Sequence, residues 1–207
     1  MDETPPSSTY QALSQFCEEH NSATRLLRVA AQDYAAARCL LLNGLFAGHV
    51  LGAQAIEKFL KGYLLFKNPK CPVRKLSHSL PKLLASVGEC FPHLQLAGFA
   101  PLAEKFMNHY ETRYPDNPDA SQSMTTADLL ELDTFIIFLS ENIPCARHVK
   151  YQTGIYPFIS FSTGYQSTVS PWEYWIKNAN QALAPLLPHI KMEYAAVLTE
   201  LHPSAQH

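Results

Sequence analysis

The chain has 207 residues, a net charge of −2 with neutral histidines, and only 16% charged residues. That length suits one main domain with an appendage, and that charge excludes the broad basic footprint with which proteins grip long nucleic acid by its backbone. Cys17, Cys39, Cys71, Cys90 and Cys145 are widely spaced and never form a C-x-x-C pair, which excludes a disulfide framework or a cysteine zinc site and predicts the reduced thiols of a cytoplasmic protein.

The opening residues Met1 to Ser8 are acidic and rich in Pro and Ser, without the basic start and apolar run of a secretory signal. Ser8-x-x-Gln11 has the form of a capping box ahead of Tyr10, Leu13, Phe16 and Cys17, so residues 1–22 read as a tail plus a short helix. Thr24 to Leu42 reads as a longer helix with Leu26, Ala30, Ala37 and Leu41 on its packed side. Asp33 falls on that side too, and its carboxylate needs a cationic or donor partner there. Tyr34 beside it offers packing or a hydroxyl.

Asn43-Gly44 is a break, and a helix from Leu45 to Phe66 follows. So short a connection makes the two helices antiparallel neighbours. Ile56, Phe59, Leu60, Tyr63 and Leu64 recur at helical spacing as an apolar stripe, while Gln54, Glu57, Lys58 and Lys61 recur on the opposite side. The ordinary reading of that polar arc is a solvated face with a Glu57–Lys61 pair worth ~0.2–0.5 kcal/mol, and the pattern alone favours it. The functional reading is an amide, a carboxylate and two ammonium groups gathered to hold an anion. His49 projects onto the apolar arc and reads as a packed core histidine.

Pro69 and Pro72 end this helix, and another starts near His78 with Ser77 or Ser79 as cap and Pro81 in its first turn. Pro101 opens a helix carrying Leu102, Phe106, His109 and Arg113 on one face, which stops at Tyr114-Pro115. Thr125-x-x-Asp128 then caps an apolar helix ending at Ile143-Pro144, with Leu129, Leu132, Ile136, Leu139 and Ile143 central to the core. From Arg147 to Val169 a small hairpin is expected. Ser170-Pro-Trp-Glu173 starts a helix with Trp172, Trp175, Ile176, Ala179 and Leu183 as its stripe, and a last helix runs from Pro188 to Leu201. No stretch is apolar for long enough to span a membrane.

Phosphate-loop, dinucleotide and zinc-protease motifs are missing from the sequence. Histidines and cysteines never cluster at ligand spacing along the chain, so neither a metal nor a cofactor is expected. Trp172 and Trp175, with Tyr151, Tyr156 and Tyr165, offer stacking surfaces for bases, but aromatics at such spacing read first as packing.

Asp33-Tyr34, Gln54-Ala-Ile-Glu-Lys-Phe-Leu-Lys61, His78-Ser-Leu-Pro-Lys-Leu-Leu84 and Arg113-Tyr-Pro-Asp116 occur in this order, and the stretch that holds them, residues 23–144, resembles the HEPN family. The resemblance implies an all-α, up-and-down antiparallel bundle of four to five core helices that commonly forms homodimers, with residues 145–207 as a C-terminal extension packed on the bundle or on a partner. It implies nucleotide or RNA binding, often beside a partner nucleotidyltransferase and in toxin–antitoxin settings, or metal-independent RNA cleavage. Cleaving members carry R-x4–6-H, with His as general acid/base and Arg on the phosphate. No His follows Arg113 at that distance, which argues against an enzyme. His109 with Arg113, or Arg74 with His78, would be a divergent substitute, and a pure dimerisation or interaction subunit is a third reading. The leading expectation is a binding module in which Lys58, Lys61, Gln54, Arg113 and Tyr114 engage phosphate while Asp33 and Glu57 orient the cations. In that reading Arg113 pairs with Asp33 or Glu57, and His78 fixes the start of its own helix.

Overall fold

The computed structural model describes residues 21–111, 126–159 and 171–201. The leading helix, Arg113, Tyr114, Tyr165 and the Thr125 cap therefore lie outside the described residues. Within them the chain is all α, with helices α1 (Asn21–Leu42), α2 (Ala47–Lys67), α3 (Leu80–Cys90), α4 (Ala100–Glu111), α5 (Thr126–Glu141), α6 (Arg147–Lys150), α7 (Pro171–Lys177) and α8 (Leu187–Leu201).

Local sequence explains where the long helices stop. After Leu42 the side-chain amide of Asn43 donates to the Cys39 carbonyl at 2.7 Å, and Gly44 takes φ +72°, a conformation that costs glycine nothing. Past Lys67, the Asn68 side chain accepts the backbone N–H of Lys70 at 3.0 Å, an Asx turn that Pro69 favours. The connection before α4 is made of two short 3-10 turns, Pro92–Leu94 and Leu96–Phe99, joined through Gln95 at φ +50°.

α2 is the central helix. It touches α1, α3, α4 and α5, and it is buried on most sides rather than along one stripe. The predicted stripe of Ile56, Phe59, Leu60, Tyr63 and Leu64 is buried throughout. Small residues of both helices, Ala23, Ala30, Ala31 and Ala37 of α1 and Ala53 and Ala55 of α2, belong to one core. A Cβ on Gly62 would meet Leu27 Cδ2 at 2.6 Å, and one on Gly48 would meet Leu41 Cγ at 2.6 Å and the Ala37 carbonyl at 2.9 Å. Glycine at these places lets the two backbones approach closely. That approach fixes the antiparallel register that matters for the site.

The extension packs onto the bundle. α7 lies against α1, and the fully buried Arg38 of α1 reaches it. Its guanidinium donates to Asp133 Oδ1 at 2.7 Å and Oδ2 at 3.1 Å, to the carbonyls of Ile176 (3.3 Å) and Asn178 (3.0 Å), and to that of Trp175. Tyr34 donates to the same carboxylate at 2.7 Å, and Asn180 donates to the Tyr34 hydroxyl at 2.9 Å. Burial pushes the Asp133 carboxyl up against the opposing pull of Arg38 and Tyr34. Burial, then the neighbouring Asp133, pushes the Tyr34 hydroxyl up as well, so it stays a donor.

Two expectations for the extension are corrected. The hairpin does not form among the described residues: Val149 and Lys150 sit in α6, and Tyr156–Phe158 is a 3-10 turn. Tyr151 and Tyr156 point into the core, where β-branched spacing alone does not distinguish a strand from a packed turn. The predicted stripe from Trp172 to Leu183 is also interrupted. α7 ends at Lys177, and Ala179 takes φ +53°, which lets the Asn180 side chain return to the Ile176 carbonyl at 2.9 Å.

Candidate functional site

The register that seats Leu27 against Gly62 and Leu41 against Gly48 also sets Asp33 of α1 opposite Lys58 of α2. The two form an ion pair, with side chains 18% and 27% exposed. The partner that Asp33 requires is therefore Lys58, one helix away. One turn on, Lys61 Nζ donates to Glu57 Oε1 at 2.7 Å. Glu57 also meets the His78 imidazole, whose Nδ1 lies 2.9 Å from Oε1 and 3.1 Å from Oε2.

These contacts settle the places of the sequence candidates. Asp33, Glu57, Lys58 and Lys61 come together as one polar seam between α1, α2 and the loop before α3. Gln54 is half-buried one turn before Lys58. Arg113 and Tyr114, and with them the pairing expected of Arg113 with Asp33 or Glu57, lie outside the described residues; among the described residues Asp33 pairs with Lys58 and Glu57 with Lys61. The i, i+4 pair of the ordinary reading forms, but on no solvated face: Lys61 is only 6% exposed. His78 is corrected too. It does not cap α3, where the Ser77 hydroxyl accepts the Ser79 N–H at 3.0 Å and Ser79 makes no side-chain cap. Its ring, 66% exposed, crosses to α2 and clasps Glu57.

Chemically, the seam holds two ammonium groups and one imidazole on two carboxylates. Lys58 can exchange Asp33 for another anion because both remain partly wet, whereas Lys61 is enclosed and acts mainly as a fixed charge beside Glu57.

Next to the seam is a cleft of about 640 Å³ between the start of α1, the end of α2 and the 3-10 turn Val73–Lys75. Leu26, Val29 and Leu65 give it an apolar wall, and among the described residues its charged lining is Arg25, Arg74 and Lys75, with no carboxylate. Leu65 is one helical turn beyond Lys61, so the seam leads into the cleft. Sequence reasoning missed Arg25 and Lys75 because they belong to separate segments without a shared motif. The local signal is the run of basic residues Lys67, Lys70, Arg74 and Lys75 around Pro69 and Pro72, which does not reach Arg25.

A second polar cluster lies at the other end of α2. His49 is fully buried as expected, yet not merely packed: its Nε2 lies 3.1 Å from Asp128 Oδ2, and its ring centroid is 4.2 Å from that of His109. Lys105 pairs with Asp128 and lies 2.9 Å from Glu131. Burial and then His49 lower the pKa of His109. For Lys105, burial is outweighed by Asp128 and Glu131, and its pKa rises. These residues are far apart in sequence, and nothing in their spacing predicted the cluster.

The seam and cleft gather basic groups on an all-helical frame, those of the seam on carboxylates. No protein-family model, no curated protein and no solved structure matches the chain.

Proposed function

We propose that this chain is a HEPN-like helical binding module for a phosphate-bearing ligand, a nucleotide or an RNA end, taken along the polar seam and into the basic cleft. The observation that carries the reading is the cleft itself, whose apolar wall and, among the described residues, three cations without a carboxylate suit a base or sugar beside phosphate. The seam supplies Lys58 as an exchangeable donor and Lys61 as a fixed charge. The sequence places shared with HEPN domains and the all-helical bundle support the family reading, and with it a homodimer and a nucleotidyltransferase partner. Binding through charge-assisted hydrogen bonds on a half-open surface is modest in affinity and weakens with salt.

Fluorescence anisotropy of labelled ATP and of a 5′-phosphorylated oligoribonucleotide tests this. Saturable binding at low salt, weakened roughly tenfold or more by Arg74→Ala with Lys75→Ala, is the expected result. Equal affinity in that double variant, or no saturable binding by either probe, overturns it. Light scattering of the full chain, alone and with a candidate nucleotidyltransferase, tests the assembly.

One observation favours a second, enzymatic reading. Glu57 holds the exposed His78 by Nδ1, the arrangement that orients an imidazole for general acid/base work. Cleavage of structured RNA in EDTA, abolished by His78→Ala, would establish it, and intact RNA leaves the binding module.

A further inference from the structure

We propose that His49, His109 and Asp128, where α2, α4 and α5 meet, form a binding site for one divalent transition-metal ion of the zinc class. Each offers a ligand atom, and the three atoms lie within 4.8 Å of one another. Tetrahedral zinc with bonds of about 2.0–2.2 Å sets its ligands roughly 3.3 Å apart, and the 3.1 Å between His49 Nε2 and Asp128 Oδ2 is close to that spacing. A set of two imidazoles and one carboxylate suits zinc, cobalt, nickel or iron rather than magnesium or calcium.

His49 is fully buried, and its Nδ1 has no hydrogen-bond partner among the described residues. The ring therefore meets polar groups of the fold through Nε2, the atom that faces Asp128, and Nε2 is the nitrogen that would take the ion. His109 is half-buried, while His49 and Asp128 are enclosed.

Lys105 is the competitor. Its ammonium sits on Asp128 and also on Glu131, and its side chain is a third exposed. An incoming ion displaces it from Asp128 while Glu131 retains it. Three protein ligands leave a coordination position for water.

The experiment uses the full chain, stripped with EDTA and exchanged into chelator-free buffer. Zn²⁺ is titrated by calorimetry and Co²⁺ by visible absorption. One equivalent of Zn²⁺ and an intense low-symmetry Co²⁺ band are expected. His109→Ala should weaken binding by roughly 100-fold or more, with its helical circular dichroism as the folding check. His93→Ala, an exposed histidine outside the cluster, should leave binding unchanged. Lys105→Gln should tighten it roughly tenfold by removing the competing charge. Heats of dilution only, a Co²⁺ spectrum like the hexaaquo ion, or affinity indifferent to His109→Ala would each overturn the proposal and leave a buried histidine–aspartate pair. Nucleotide binding at the cleft is measured separately, so the two readings fail independently.

Discussion

Arg38 and Lys58 both belong to the α1–α2 hairpin and both sit on a carboxylate, Asp133 of α5 and Asp33 of α1, yet they do opposite things. The Arg38–Asp133 pair is sealed: both side chains are at most 2% exposed, and three backbone carbonyls of the extension take the remaining donors of the guanidinium. Among the described residues Lys58 meets Asp33 alone, and both side chains remain partly exposed. A buried pair is locked because removing either partner strands a charge in low dielectric, whereas a half-wet pair gains little and exchanges readily. Burial therefore assigns Arg38 to holding the extension on the bundle and Lys58 to meeting a ligand.

The comparison breaks first at Arg38. Arg38→Ala should destabilise the protein by about 3–5 kcal/mol in urea unfolding, and α7 should become protease-sensitive. A loss below about 1 kcal/mol would mean that the node is not what holds α7. Exchanging both partners together, Arg38→Met with Asp133→Leu, should recover much of that loss.

The next largest effect concerns the register that aligns the seam. Gly62→Ala drives a methyl into Leu27 and should cost about 1–3 kcal/mol, less whatever helix propensity returns. Because it shifts α1 against α2, it should also weaken nucleotide binding without touching a ligand-binding group. Unchanged stability would show that Leu27 turns aside and that the close approach is not required.

Lys58→Ala sharpens the contrast from the other side. It should change stability by only about 0.2–1 kcal/mol while reducing binding in the anisotropy assay. Lys61→Ala should cost more stability than Lys58→Ala, since Lys61 is nearly enclosed. The reverse order would exchange the scaffolding and ligand roles assigned to them.

The smallest effect is on pH dependence. The folded-state pKa of His109 lies below its unfolded value, through burial and the neighbouring His49. The unfolded chain then takes up a proton first, so stability should fall as pH drops from about 6.5 through the lowered folded value, and be constant in this respect above it. Thermal midpoints across that window, with His109→Gln as the flattened control, measure it. An unaltered slope in the variant would assign the dependence to other groups.

The helices were legible because periodicity and punctuation are local properties. Asn43-Gly44, Pro69 with Pro72, and Ser170-Pro171 each mark an end or start within a residue or two of where it falls. The gathering of Asp33, Glu57, Lys58 and Lys61 was legible as a pattern on two neighbouring helices. Who pairs with whom was not. Pairing Asp33 with Lys58 required knowing how far α1 slides along α2, and that distance is set where Leu41 and Leu27 meet the bare backbone at Gly48 and Gly62. Likewise, Arg38 carried no signal as a buried node, because its partners come from Asp133 and from the backbone after Trp175, more than ninety positions away.

By itself, then, the amino-acid order determined an all-helical chain, its main breaks, and the residues that a hairpin would bring near one another. Tertiary structure alone decided burial and partnership: that α2 is enclosed on most sides, that Lys61 is inside rather than on a wet face, that His78 crosses to Glu57, and that His49, His109 and Asp128 converge. The reason is physical. Helix formation follows from contacts three and four residues apart, whereas the fate of a charge depends on which distant surfaces exclude water from it.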